Sequence, residues 1–164
     1  DSTGALSLKE IPKSMVVVGG GYIGLEMGSV WGRLGTKVTV VEYLDRIVPA
    51  MDTEVSKKFQ TSLKRQGMTF KMGTGVMASE VTADGVKLTV QNAKTGAEEI
   101  LETDVVLVAT GRRPFTDGLG LEGLGISTDK LGRVEVDDDF ATAVPGVFAI
   151  GDVIDGPMLA HKAE

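Results

Sequence analysis

The chain has 164 residues, of which 42% are apolar and 24% are charged, and it carries a formal net charge of −6 at pH 7. This length is enough for one good hydrophobic core, or for one domain with part of another. Lysine and arginine are scattered along the sequence, which argues against a nucleic-acid partner, because that partner requires a concentrated basic face. Cysteine is absent, so disulfides, cysteine-bound zinc and a cysteine nucleophile are excluded.

The apolar runs also argue against a membrane partner. The longest of them, such as VVLVA at 105–109, are too short to cross a bilayer. A basic start followed by an apolar segment is not found, so no signal peptide is expected. The acidic run at 137–139 is interpreted as a solvated turn and not as a metal site.

The first elements in chain order form one βαβ unit. MVVVG at 15–19 predicts a buried parallel strand, and KVTVVE at 37–42 predicts a second. Between them a helix is predicted from Tyr22 to Leu34, with Gly35 at its C-cap. The predicted apolar face of this helix consists of Ile23, Met27, Val30, Trp31 and Leu34.

The following segments extend an α/β fold. A helix is predicted over 52–66, with Asp52 as its N-cap, Val55, Phe59 and Leu63 on one face, and Gly67 at its end. MTFKMGTGV at 68–76 predicts a strand that leads into a loop, and 85–102 predicts a β-hairpin. A last buried strand is predicted at 104–111, and glycine-rich loops follow a domain boundary near Pro114. We therefore expect a Rossmann-like dinucleotide-binding domain with an inserted antiparallel β-hairpin or meander.

The stretch VVVGGGYIGLEMG at 16–28 contains a glycine motif between the first strand and the first long helix. Gly19, Gly21 and Gly24 fit the pattern G-x-G-x-x-G. In such a loop the first glycine allows a tight turn, the second allows backbone to approach a pyrophosphate, and the third allows close packing of helix and strand. The N-terminus of the helix then offers free N–H groups to the phosphates.

An acidic residue ends the second strand at the distance expected for a dinucleotide site. Glu42 lies 18 residues beyond Gly24, where its carboxylate can accept hydrogen bonds from the ribose hydroxyls of adenosine. The three residues after Glu42 include no arginine to bind a 2′-phosphate. NAD is therefore favoured over NADP.

Two further polar residues leave their roles open. Glu26 lies in the first turn of the helix, where it can serve the helix dipole or a ligand equally well. His161 is the only histidine, and it has no nucleophile or carboxylate at a recognisable spacing. A packing or backbone role for His161 is favoured over catalysis, and we assign no catalytic or metal-binding residue.

Four motifs in order resemble the dihydrolipoamide dehydrogenase family of flavoprotein disulfide reductases. They are GGGYIGLEMGSVWGRLGTKVTVVE, ATGRRPFT, VFAIGD and GPMLAHKAE. The resemblance implies that 13–114 form an NAD-binding domain inserted within an FAD-binding chain. Residues 1–12 would then leave the FAD domain, and 115–164 would return to it.

The resemblance also implies roles for individual residues. The pyrophosphate and nicotinamide path would be lined by Gly19, Gly20, Gly21, Tyr22, Ile23, Gly24, Leu25 and Glu26. Glu42 would bind the ribose, Val76 would contact the adenine end, and Gly111 would close the site. Asp152 would bind the ribityl-phosphate region of FAD. The flavin edge would be passed by Met158, Leu159, Ala160 and His161.

A whole enzyme of this family would oxidise dihydrolipoyl groups through a cysteine pair and FAD, and reduce NAD⁺. The resemblance implies a homodimer within 2-oxo acid dehydrogenase complexes or the glycine cleavage system, in the mitochondrial matrix of a eukaryote or the cytoplasm of a bacterium. The family's cysteine pair and its catalytic His–Glu pair are not in this chain, so we expect no catalysis from it alone. The alternatives are a non-catalytic NAD-binding sensor, or part of another flavin disulfide reductase or an NADH oxidase.

Overall fold

The computed structural model of the chain describes residues 1–164, which divide into two units at Gly111 and Arg112. The predicted domain boundary, near Pro114, lies just beyond this division. Unit 1 contains α1 (Ser2–Leu6), β1 (Ser14–Val18), α2 (Tyr22–Arg33), β2 (Lys37–Glu42), α3 (Thr53–Arg65), β3 (Thr69–Met72), β4 (Thr74–Thr82), β5 (Gly85–Asn92), β6 (Glu98–Thr103) and β7 (Val105–Val108). Unit 2 contains α4 (Leu121–Leu124) and two 3₁₀ turns, Gly151–Val153 and Ala160–Lys162. None of these helices has the length and apolar character needed to cross a bilayer.

A four-stranded parallel sheet forms the centre of unit 1, with strand order β3-β2-β1-β7. Because β1 is covered on both faces, it is apolar throughout its centre. Met15 and Val17 pack towards the helices, and Val16 packs towards a second sheet. The predicted α/β fold with a Rossmann-like βαβ unit is confirmed.

Helix α2 packs on the sheet through its glycines, which corrects the predicted apolar face. The buried residues are Gly24, Leu25, Gly28 and Trp31, whereas Val30 and Leu34 are exposed. A Cβ atom added at Gly24 would lie 2.4 Å from the Gly19 carbonyl oxygen, and one added at Gly28 would lie 2.9 Å from Met68 Cε, so the helix approaches its neighbours most closely at these two glycines. The packing face is therefore chosen by small residues and not by apolar spacing alone.

Helix α3 begins as predicted but buries a different face. The Asp52 carboxylate accepts hydrogen bonds from the N–H groups of Glu54 at 2.8 Å and Val55 at 3.3 Å, which confirms the N-cap. Leu63 is buried together with Ser56. Val55 and Phe59 remain 49% and 39% exposed, so the predicted continuous apolar stripe is wrong.

The inserted sheet is a three-stranded antiparallel meander, β4-β5-β6. The predicted hairpin forms β5 and β6, but 68–76 is not one strand leading into a loop. Gly73, at φ +59°, turns the chain out of the parallel sheet, and β4 continues for nine residues. In β5, the strand that pairs with β4, the buried residues Leu88 and Val90 pack against the parallel sheet. The meander therefore forms a third layer opposite the helices.

Unit 2 is mostly irregular and is held by a small apolar cluster and an ion-paired turn. Ile126, Val134 and Ile154 form the buried cluster. Asp129 accepts hydrogen bonds from the Arg133 backbone N–H at 2.9 Å and from Arg133 Nε at 2.6 Å. These bonds, the backbone bond first, hold the pKa of Asp129 below its ordinary value of 3.8.

We expect this lowered pKa to make unit 2 less stable in acid. Because the unfolded chain binds the Asp129 proton more readily than the folded chain does, the stabilisation is present above about pH 4 and is lost as the pH falls through the folded pKa. The protection factor of the Val134 amide, whose N–H bonds to the Val153 carbonyl, measures this loss. Asp129→Asn should make the acid dependence shallower, whereas Asp138→Asn, at an exposed carboxylate without hydrogen bonds, should retain it. Equal slopes in the two variants would contradict the assignment.

Candidate dinucleotide-binding site

A cleft of about 570 Å³ opens at the carboxyl ends of the parallel strands, beside the start of β4. It is lined by Val18, Gly19, Gly21, Val41, Glu42, Tyr43, Leu44, Pro49, Thr74, Gly75, Val76, Met77, Ala109, Thr110 and Gly111. The cleft lies where the strand order reverses, since β2 and β7 pair on opposite sides of β1. Open α/β sheets bind ligands at such switch points.

The three motif glycines meet different constraints. A Cβ atom at Gly19, where φ is +112°, would lie 2.4 Å from the Ala109 carbonyl oxygen. At Gly24 it would lie 2.4 Å from the Gly19 carbonyl oxygen. At Gly21 it would meet no atom within 4 Å. The first and third glycines therefore serve the packing of the chain itself, and Gly21 alone faces open space.

The N-terminus of α2 points its backbone donors into that space. Gly21 is the N-cap, and no side chain caps the helix. The Leu25 N–H makes the hydrogen bond to the Gly21 carbonyl, at 3.1 Å, so the amides of Tyr22, Ile23 and Gly24 precede the first helical bond. Free amides beside an open approach suit an anionic group.

The Glu42 carboxylate is fixed by two backbone donors. Its Oε2 accepts a hydrogen bond from the Gly20 N–H at 2.6 Å, and its Oε1 accepts one from the Leu44 N–H at 2.7 Å. Each carboxylate oxygen has a second lone pair, so both can accept a further bond. Glu42 is thus held in place before any ligand arrives, with acceptor capacity left for hydroxyl donors.

The cleft brings together some of the predicted site residues and leaves others outside. Gly19, Gly21, Glu42, Val76 and Gly111 line it. The Leu25 side chain is only 1% exposed and belongs to the core, so any contact with a ligand must use its backbone. Tyr22 is exposed, and Ile23 is half-buried.

Glu26 lies outside this cleft. Its side chain is exposed along an outer groove, with Arg33 and Phe59. Glu26 is the fifth residue of α2 and lies beyond its first turn, so the predicted first-turn position is wrong and the helix-dipole role is weakened. The nicotinamide assignment of Glu26 stays a prediction.

The predicted flavin residues belong to unit 2. Asp152 pairs with Arg112 at 3.0 Å between Oδ2 and Nη2. Met158 is half-buried, and the last three predicted residues, Leu159, Ala160 and His161, are exposed. Their assignment to FAD stays a prediction.

Two exposed apolar side chains in the cleft were missed by sequence analysis. Tyr43 is 69% exposed and follows Glu42 directly, with its ring against Gly75. Met77 is 59% exposed and sits at a register shift between Val76 and Ala78 in β4. The aromatic Tyr43 directly after Glu42 could have been identified from the sequence. Met77 could not, because a β-bulge does not change the apolar pattern of a strand.

Comparisons with known proteins agree with this geometry. Residues 1–164 match the family model described as pyridine nucleotide-disulphide oxidoreductase. The chain is 62% identical to the mitochondrial dihydrolipoyl dehydrogenase of Pisum sativum, over 99% of this chain and 32% of that protein. It is 57% identical to dihydrolipoyl dehydrogenase 3 of Pseudomonas putida, over 100% of this chain and 35% of that protein.

A solved structure shows the same fold. The HOCl-induced flavoprotein disulfide reductase of Escherichia coli aligns with a TM-score of 0.87 at 30% identity, over 98% of this chain and 36% of that one. This chain therefore spans about a third of the length of the curated relatives it matches.

The difference between the glycines predicts opposite outcomes for two alanine variants. Gly21→Ala places a methyl group in open space at an ordinary φ of −77°, so the melting temperature should change little. NADH binding should weaken about tenfold or more, since the methyl group blocks the approach to the loop. Gly24→Ala should instead lower the free energy of unfolding by about 1–3 kcal/mol, because the added atom clashes with backbone. Thermal unfolding measures the change in stability, and calorimetric titration measures the affinity for NADH. Normal NADH binding by Gly21→Ala would contradict the role of Gly21 in the approach to the loop.

Substitutions of Glu42 should affect the protein before any nucleotide is added. Glu42→Gln retains one acceptor oxygen and so loses one backbone bond, which should lower the free energy of unfolding by about 1–3 kcal/mol. Glu42→Ala should also weaken NAD binding by about 1–3 kcal/mol. Denaturant titration and calorimetry measure both effects, with Glu10→Gln as a control at an exposed carboxylate without hydrogen bonds. Unchanged NAD affinity in Glu42→Ala would exclude the ribose role.

Proposed function

The chain belongs to the pyridine nucleotide-disulphide oxidoreductase family, and from this premise we propose that it is the NAD-binding segment of a dihydrolipoyl dehydrogenase. The whole enzyme oxidises dihydrolipoyl groups through a cysteine pair and FAD, and passes the hydride to NAD⁺. The identity of 62% to the pea dihydrolipoyl dehydrogenase supports this choice within the family. The observation that carries the binding role is the Glu42 carboxylate, fixed by Gly20 and Leu44 beside the open space at Gly21.

The cleft suits NAD in the chemistry of its donors, acceptors and apolar surface. The open approach at Gly21 and the free amides of α2 suit the pyrophosphate. Glu42 is an acceptor, and the adenosine ribose offers hydroxyl donors to it. At the adenine end, Val76 is joined by Tyr43 and Met77, which give an apolar surface for the base.

The same cleft disfavours NADP. None of its lining residues is a lysine or an arginine. The nearest candidate in sequence, Arg46, donates to the Thr53 hydroxyl at 2.7 Å and to the Pro49 carbonyl at 2.8 Å instead. A 2′-phosphate would therefore face the Glu42 carboxylate without a cation to bind it.

The remaining roles follow the resemblance to the family. Gly111 would close the site, and Glu26 would lie near the nicotinamide ring, which accepts a hydride when NAD⁺ is bound. In unit 2, Asp152 would bind the ribityl-phosphate region of FAD, and 158–161 would pass the flavin edge. Residues 1–12 would leave the FAD domain, and 115–164 would return to it.

The proposal extends to the assembly in which this segment works. The whole enzyme would be a homodimer serving 2-oxo acid dehydrogenase complexes or the glycine cleavage system. It would act in the mitochondrial matrix of a eukaryote or in the cytoplasm of a bacterium. Relatives include a mitochondrial plant protein and a protein from Pseudomonas, which supports both conditions of this statement.

Calorimetric titration of the 164-residue chain should separate binding from chemistry. We expect NADH to bind, and NADPH to bind at least about tenfold more weakly, because its phosphate loses the ribose hydroxyl bond and is repelled by Glu42. The chain should not reduce NAD⁺ with dihydrolipoamide, since it has no cysteine to accept the electrons of the dithiol.

Either of two results would contradict the proposal. Equal affinity for NADH and NADPH would remove the role of Glu42 in cofactor choice. Turnover with dihydrolipoamide and NAD⁺, without an added subunit, would show that the chain is more than a binding segment.

A further inference from the structure

Gly20, which lies between the motif glycines Gly19 and Gly21, is held from three directions. Its N–H donates to Glu42 Oε2 at 2.6 Å, and its carbonyl accepts a hydrogen bond from the Val48 N–H at 2.9 Å. A Cβ atom on Gly20 would lie 3.2 Å from Cγ2 of the buried Ile47, so a side chain also covers it. Because Gly20 connects Gly19 to Gly21, these contacts fix the direction of the loop.

One of those contacts depends on an unfavourable backbone conformation. Val48 has a φ of +38°, in a region that a β-branched residue rarely adopts. It also precedes Pro49, and a proline restricts the residue before it to extended conformations. Such a conformation persists only where the surrounding structure over-determines it.

Arg46 supplies that restraint around Val48. Its Nη2 donates to the Pro49 carbonyl at 2.8 Å, and its Nη1 donates to the hydroxyl of Thr53, the first residue of α3, at 2.7 Å. The guanidinium thus bridges the chain after Val48 to the start of a helix. The planar fork of arginine can make both bonds at once, whereas the lysine ammonium has no such fixed geometry.

We infer that Arg46 is a positioning residue for the nucleotide site, acting through Val48, an inference that rests on the proposed NAD-binding function. By bridging Pro49 and Thr53, Arg46 holds Val48 in its left-handed conformation. The Val48 N–H then stays on the Gly20 carbonyl, and the loop is ready for the dinucleotide. Arg46 itself does not line the cleft, so this role is separate from direct contact with a ligand.

A double-mutant cycle tests this coupling. The variants are Arg46→Met, Val48→Gly and their combination, and the measurements are the Kd for NADH and the melting temperature of the 164-residue chain. Arg46→Met should raise the Kd about tenfold, as expected for the loss of charge-assisted hydrogen bonds that hold the loop. Arg46→Lys should raise the Kd in the same way, because the lysine ammonium lacks the planar fork of the guanidinium.

The glycine variant should remove the need for Arg46. Glycine adopts a positive φ without strain, so Val48→Gly should keep its Kd within about threefold of the original chain. Adding Arg46→Met to Val48→Gly should then raise the Kd by less than about threefold, a clear departure from additivity. Arg65→Met, at an exposed arginine of α3 without a hydrogen bond, is the matched control and should leave the Kd unchanged.

The possible results separate the inference from the function on which it rests. A lowered melting temperature with an unchanged Kd in Arg46→Met, or additive effects in the double mutant, would overturn the positioning role and leave NAD binding intact. If Arg46→Met does not fold, the comparison of Val48→Gly with the double mutant decides, and a large rise in Kd there would overturn the inference. Failure of the unsubstituted chain to bind NADH would overturn the proposed function and the inference together.

Discussion

The hydrogen bond from the Gly20 N–H to the Glu42 carboxylate is the contact on which the rest of the site depends. It joins the ends of two adjacent parallel strands, β1 and β2, at the point where the chain leaves each of them. Without it, the glycine loop and the strand-end acid would be two separate features of the sheet edge. With it, the orientation of the loop and the position of the carboxylate are set by one another, and the site exists before a ligand binds.

Much of the fold follows from local sequence, because local signals determine many of its elements. The bounds of β2 agree with the predicted strand, and the Asp52 N-cap acts where its position indicated. The apolar faces of α2 and α3 were less predictable. In α2 the closest approach to the sheet occurs at Gly24 and Gly28, where the absence of a side chain decides the packing, and a search for apolar periodicity does not count glycine.

The parts of the site that sequence analysis missed depend on contacts between distant segments. Gly73 ends β3 and starts β4 in another sheet, which a continuous apolar run conceals. The register shift beside Met77 is a property of how β4 pairs with β5, not of either strand alone. In the same way, the sequence places Glu42 at the correct spacing but does not show that both of its oxygens already accept backbone bonds.

Every residue that lines the cleft belongs to unit 1, so the cleft is formed within a single unit. In a flavin enzyme the cofactors perform the electron transfer, and the protein supplies binding, orientation and electrostatics. Under the proposed function, a site formed by unit 1 alone is therefore expected to bind NAD without the groups that perform the chemistry. The strained turn at Val48 agrees with this division. Its bonds run to Gly20 within the loop and to Met51 before α3, so the conformation of the loop is maintained from inside the unit that uses it.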